Sequence, residues 1–109
     1  MIIINGRGWR IFVVSSAHPA LRRPNGTWAL GSCDKTMQEI YIRDDLSEGK
    51  MKKVLAHEIT HAAMFSYGVK LTYEQEEIVA DILASYGYEI VNATNVIFNQ
   101  LMENREVFL

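Results

Sequence analysis

The pattern of apolar and polar positions changes period once along this chain, near Ser47. Before that point the apolar residues fall in short β-branched and aromatic runs: Ile2 to Ile4, Trp9 to Val14, Thr27 to Leu30 and Glu39 to Ile42. Runs of this kind bounded by turn residues read as strands. Asn5-Gly6 separates the first two, and because both residues tolerate positive φ the pair is a strong hairpin signal. Ser15 to Gly26 holds both prolines and reads as a loop. A turn near Asp34 divides the last two strands.

From Ser47 to Tyr67 the apolar residues Met51, Val54, Leu55, Ile59, Ala62, Met64 and Phe65 recur at helical spacing. Ser47 suits the N-cap and Gly68 the C-terminal stop. A second helix opens at Thr72, which with Gln75 fits a capping box. Glu74, Glu76 and Glu77 crowd its first turn, where the helix dipole favours negative charge. Ile78, Val79, Ile82, Leu83 and Tyr86 form its apolar stripe. Gly87 either ends this helix or is tolerated inside a longer one. A third helix is expected over Asn95 to Met102, packed through Val96, Ile97, Phe98 and Leu101. Strands first and helices after predict an α+β fold: a small N-terminal antiparallel sheet followed by two or three packed helices.

Composition narrows the setting. The chain has 109 residues, 49% hydrophobic and 22% charged. That is enough for one globular domain over 1–109 with one core, and too little for a separate cofactor domain. Cys33 is the only cysteine, so no internal disulfide is available. No apolar run approaches a membrane span, and the first residues lack the order of a signal peptide. A cytoplasmic protein with no membrane partner is the expectation. A net charge of −2 gives no basic excess that would suggest nucleic acid. The charge is uneven: residues 1–70 carry ten Lys/Arg against six Asp/Glu, and residues 71–109 one against seven. Solvated helix faces explain this more simply than an acidic docking surface.

The chemistry lies in His57-Glu58-Ile59-Thr60-His61. Histidines at i and i+4 share one helix face and can point both imidazoles at a single ion. The glutamate beside the first is placed to act as general base on water at that ion, which is the zincin signature, with Zn²⁺ as cofactor. Such a site takes a third protein ligand, and the second helix offers Glu74, Glu76 and Glu77. At 100° per residue, Glu77 and Asp81 lie about 40° apart on one face, whereas Glu76 and Asp81 lie about 140° apart. Glu77 as ligand with Asp81 as acceptor for a histidine N–H therefore follows, since ligating histidines donate their second ring proton to a carboxylate or carbonyl. Glu74 and Glu76 are left as first-turn charges that favour the dipole. Ala80 and Ala84 flank the ligand face and let the two helices approach closely.

His57-Glu58-Ile59-Thr60-His61 followed by Glu77-Ile78-Val79-Ala80-Asp81 resembles the gluzincin pattern. In its small size and its E-x-x-A-D form the chain is most similar to the minimal metallopeptidases of the ImmA/IrrE type, found in bacteria, phages and mobile elements. The match is specific over residues 50–87, and the helix-turn-helix or sensor domain that often accompanies these peptidases has no counterpart here. The resemblance implies a minimal zincin-like fold and a zinc endopeptidase acting on a protein or peptide, possessing His57, His61 and Glu77 as ligands and Glu58 as base.

Other residues leave alternatives open. His18, Tyr67 and Tyr73 are candidates for stabilising the oxyanion. Gln38 to Ile42 is either a sheet edge that receives extended substrate or an ordinary core strand. Cys33 reads as a buried small residue, the alternative being a thiolate that blocks zinc. A non-catalytic zinc-binding interaction module on a zincin scaffold is the competing function. Substrate identity and oligomeric state are not specified by the sequence.

Overall fold

Hydrogen-bonding demands at the first turn set the N-terminal hairpin. In the computed structural model, which describes residues 1–104, β1 (Ile2–Ile4) pairs antiparallel with β2 (Arg7–Val14), Ile2 opposite Trp9 and Ile4 opposite Arg7. Asn5 and Gly6 supply the two consecutive positive φ angles, 48° and 78°, that a two-residue hairpin turn needs. Trp9 is fully buried, and its indole Nε1 donates to Ser66 Oγ at 2.9 Å. Asn5 Nδ2 donates to the Ser66 carbonyl at 2.8 Å. Both bonds tie the hairpin to the end of the helix that carries the histidine pair.

The next segment departs from the sequence expectation. Thr27 to Leu30 does not form a strand; apart from an isolated bridge between Arg22 and Trp28 it is irregular, and the strand β3 is Gly31–Asp34. The Gly-Ser-Cys-Asp run has little intrinsic β preference, so pairing with its neighbour selects it over propensity. That neighbour is β4 (Glu39–Arg43), and the sheet order is β1-β2-β4-β3. β3 and β4 are antiparallel, whereas β2 and β4 are parallel, with Ile11 opposite Ile40 and Val13 opposite Ile42. The sheet is thus mixed rather than wholly antiparallel. Parallel neighbours need a crossover connection, and the segment between β2 and β4, containing a short 3₁₀ turn (Pro19–Leu21) and β3, provides it. A second correction follows: β4 is an inner strand, so Gln38 to Ile42 is not a substrate-receiving edge. Ile40 and Ile42 are core residues.

Helix α1 (Glu48–Ser66) begins at Ser47, whose side chain accepts from Lys50 N, and stops at Gly68, which takes φ +66°. Ala62 packs with Trp9, Ile40 and Ile42 in the core. Thr72 and Gln75 form the expected capping box at the start of α2 (Tyr73–Glu103). Gly87 lies inside this helix, and the helix expected over Asn95 to Met102 is its last stretch. A β-carbon at Gly87 would meet only Leu83, at ordinary contact distance, so nothing there forces a break.

The apolar stripe of α2 is where packing departs most from expectation. The small Ala80 is the fully buried contact, whereas Ile78, Ile82, Leu83, Tyr86, Val96, Ile97, Phe98 and Leu101 remain substantially exposed. Length explains this. At 1.5 Å per residue α1 spans ~28 Å and α2 ~46 Å, so the second half of α2 extends beyond the described residues on which it could pack. The longest dimension is 59 Å and the radius of gyration 17.2 Å, against ~13 Å for a compact chain of this size. Among the described residues, no helix is long and apolar enough to cross a membrane.

Candidate metal centre

Placement of His57 and His61 follows from the same face argument that places Ala62. The core-facing side of α1 is fixed against the sheet, which leaves the two imidazoles one turn apart towards the first two turns of α2. Their Nε2 atoms lie 3.1 Å from each other. Glu77 completes a triangle, with Oε1 2.7 Å from His61 Nε2 and Oε2 3.5 Å from His57 Nε2. Donors bound tetrahedrally to zinc at 2.0–2.1 Å stand ~3.3 Å apart, so these separations already approximate a coordination face. Among the described residues these three form the one group of His, Cys, Asp or Glu whose donor atoms all lie within 4.8 Å.

The outer nitrogens are also engaged. His57 Nδ1 is 2.9 Å from Asp81 Oδ1, the pairing expected for a ligating histidine. His61 Nδ1 is 2.7 Å from Glu76 Oε1, and Lys35 Nζ donates to the same oxygen at 3.1 Å. With the proton of each ring on Nδ1, both Nε2 lone pairs are left facing Glu77. Burial pushes the Glu76 carboxyl upward, but the hydrogen bonds from His61 and Lys35 outweigh it and hold the group below its ordinary range.

Glu76 is the correction at this site. The 140° between Glu76 and Asp81 does not separate them from a common centre. Glu76 lies 100° to one side of Glu77 and Asp81 40° to the other, so each reaches a different histidine. Counting acceptors would have found it: two histidines need two, and Asp81 supplies one.

Glu58 packs beneath the histidines, against β3. It is buried, and its Oε2 has no hydrogen-bond partner among the described residues. Burial raises the Glu58 carboxyl above its ordinary range, against the opposing pull of His57 and His61. Gly31 makes this packing possible. A β-carbon there would lie 2.7 Å from Val54 Cγ1 and 3.1 Å from both Glu58 Cγ and the Tyr41 carbonyl.

Comparison with known families bears on the same residues. The peptidase M78 family model, described as the IrrE N-terminal-like domain, matches residues 12–91. The chain belongs to this family. It is an ImmA/IrrE family metallopeptidase domain, and the matched span runs from β2 to Val91, taking in both histidines, Glu58, Glu77 and Asp81. No curated protein and no solved structure matches the chain.

In this M78 domain the cluster opens into a cleft of about 530 Å³ between α1, α2 and β3. Tyr73 lines it, whereas His18 and Tyr67 are not among its lining residues. His18 is occupied elsewhere: its Nδ1 accepts from Ala20 N, and its ring stacks on Tyr41 with centroids 5.3 Å apart. Tyr67 is the C-cap of α1. Cys33 is half-buried in the cleft wall, and burial, reinforced by the Glu58 charge, pushes its thiol up to about 12. Cys33 is not among the donors that converge with His57, His61 and Glu77, which argues against a zinc-blocking thiolate. Arg23, Lys50 and Lys53 are exposed cations on the cleft lining.

Proposed function

We propose that this domain is a zinc-dependent endopeptidase in which His57, His61 and Glu77 hold the metal and Glu58 is the general base. The observation that carries the reading is the convergence of two Nε2 atoms and one carboxylate at 2.7 to 3.5 Å. It is reinforced by the buried, unpartnered oxygen of Glu58 beside them. The donor set, two neutral imidazoles and one carboxylate, is that of hydrolytic zinc sites. Zinc bound there would supply a lowered pKa for the attacking water and polarisation of the scissile carbonyl.

The chain's own residues do the rest. Glu58 Oε2, carrying no other hydrogen bond, accepts the proton of the attacking water and then delivers it to the leaving amine. Its raised proton affinity suits that exchange, since a carboxylate held far below neutrality would take the proton reluctantly. Glu76 and Asp81 act through the histidines, fixing their tautomers and directions. Extended substrate fits the free edge of β3, which pairs on one side only and lines the cleft through Gly31, Ser32 and Cys33. Tyr73 is the candidate at the rim for the oxyanion.

Glu58→Gln tests the assignment. The variant is expected to keep one zinc per chain and to lose hydrolysis by ~10²–10⁴-fold. Wild-type turnover in Glu58→Gln refutes the catalytic role. Unaltered biological function with hydrolysis undetectable in both proteins would instead favour a non-catalytic zinc-binding module.

A further inference from the structure

The largest feature that the metal centre does not use is the outward side of α2. Taking Ile78 as origin at 100° per residue, Val96, Ile82, Tyr86, Ile97, Ile90, Leu83 and Leu101 fall within ~140° of arc. The buried contact with α1, Ala80, is centred outside that arc. The eight large side chains of the stripe are between 41% and 59% exposed. At ~180 Å² for each in full, they present on the order of 700–800 Å² of apolar surface. Monomeric soluble proteins rarely leave a patch of that size open, and it equals one partner's share of a standard interface.

We propose that this stripe pairs antiparallel with the same stripe on a second copy of the chain, about a two-fold axis near Ile90. Three observations select that occupant. A two-fold interface must be self-complementary, and the stripe is: Leu83 and Ile97 lie seven residues either side of Ile90, and Val79 and Leu101 eleven, so each meets its counterpart across the axis. Charge selects the direction. Glu74, Glu76, Glu77 and Asp81 crowd the start of α2, whereas Ile82 to Glu103 carries two charges, Glu89, which lies about 20° inside the arc from Ile78, and Glu103. Parallel helices would set the two acidic clusters, four carboxylates each, side by side, while antiparallel helices set each against a partner end that carries the single acid Glu103 among the described residues, and oppose the helix dipoles. Finally, every described residue of α2 beyond Gly87 is exposed, so among the described residues nothing covers the half that projects.

The proposal does not rest on the metal reading, and solution mass tests it directly. Sedimentation equilibrium at micromolar concentration should give twice the 12.4 kDa chain mass. Ile90→Glu and Ile97→Glu, each at an exposed position of the single chain, should halve that mass with the helical circular dichroism kept. In a Cys33→Ser background, Ile90→Cys should form a disulfide with its own copy. Leu83→Cys should not, but should cross-link when mixed with Ile97→Cys. A wild-type monomer overturns the proposal, including one that instead floats with phosphatidylcholine vesicles. So does a dimer indifferent to both glutamates, or Leu83→Cys linking to itself as readily as Ile90→Cys.

Discussion

Exchanging the Glu76 carboxylate for an amide, Glu76→Gln, measures how far zinc affinity depends on support for His61 rather than on the donors alone. Removing the carboxylate behind a ligating histidine commonly costs 10–100-fold in affinity, ~1.4–2.7 kcal/mol. Burial decides the place within that range. The Glu76 and His61 side chains are 11% and 10% exposed and 2.7 Å apart, so water neither screens the pair nor replaces the charge that the amide lacks. Asp81 is 71% exposed, and solvent can take over its contact with His57. Glu76→Gln should therefore weaken binding ~100-fold and Asp81→Asn by ~10-fold or less. Competition against a chromophoric zinc chelator reads both constants, with far-ultraviolet circular dichroism confirming intact helices. The reasoning fails if Glu76→Gln binds zinc as the wild type does, or if Asp81→Asn weakens it equally.

Two further outcomes follow from the wall of the cleft. Gly31→Ala must displace Val54 or Glu58, because its β-carbon would sit 2.7 Å from Val54 Cγ1. It should cost ~1–3 kcal/mol in urea unfolding and lower turnover by moving the base. The Cys33 thiol, held at about 12, carries ~1000-fold less thiolate at pH 8 than an ordinary cysteine. Iodoacetamide should thus label it far more slowly than a free thiol, at a rate rising tenfold per pH unit up to the limit of the fold. Rapid labelling of folded protein at pH 8 would contradict that environment.

Features set by local chemistry were legible in the chain. The turn at Asn5-Gly6, the Ser47 cap, the Gly68 stop and the Thr72–Gln75 box each depend on a few consecutive residues, and helical period alone puts His57 and His61 on one face. Features set by remote partners were not. Gly31–Asp34 becomes a strand only because β4 lies beside it, and parallel pairing of β2 with β4 depends on where the intervening segment crosses. The antiparallel sheet and the edge role for Gln38 to Ile42 failed for that reason. Glu76 escaped because a helical wheel gives the direction of a side chain but not its reach: 140° of arc still spans two histidines a turn apart. The apolar residues of α2 were taken as core because periodicity reports amphipathic character without saying what supplies the other surface.

The short turn from Gly68 to Thr72 has a consequence for the order of assembly. All the proposed donors and their supports, from His57 to Asp81, sit on one helical hairpin and meet through contacts close in sequence. The β2–β4 pairing, by contrast, must first close the long segment from Val14 to Glu39. Local contacts form early and distant pairings late, so the coordination triangle can be in place while the sheet is still incomplete. A chain that captured an ion at that stage would hold its two helices together before the substrate shelf exists, leaving closure of the segment from Val14 to Glu39 as the slow step in reaching the fold.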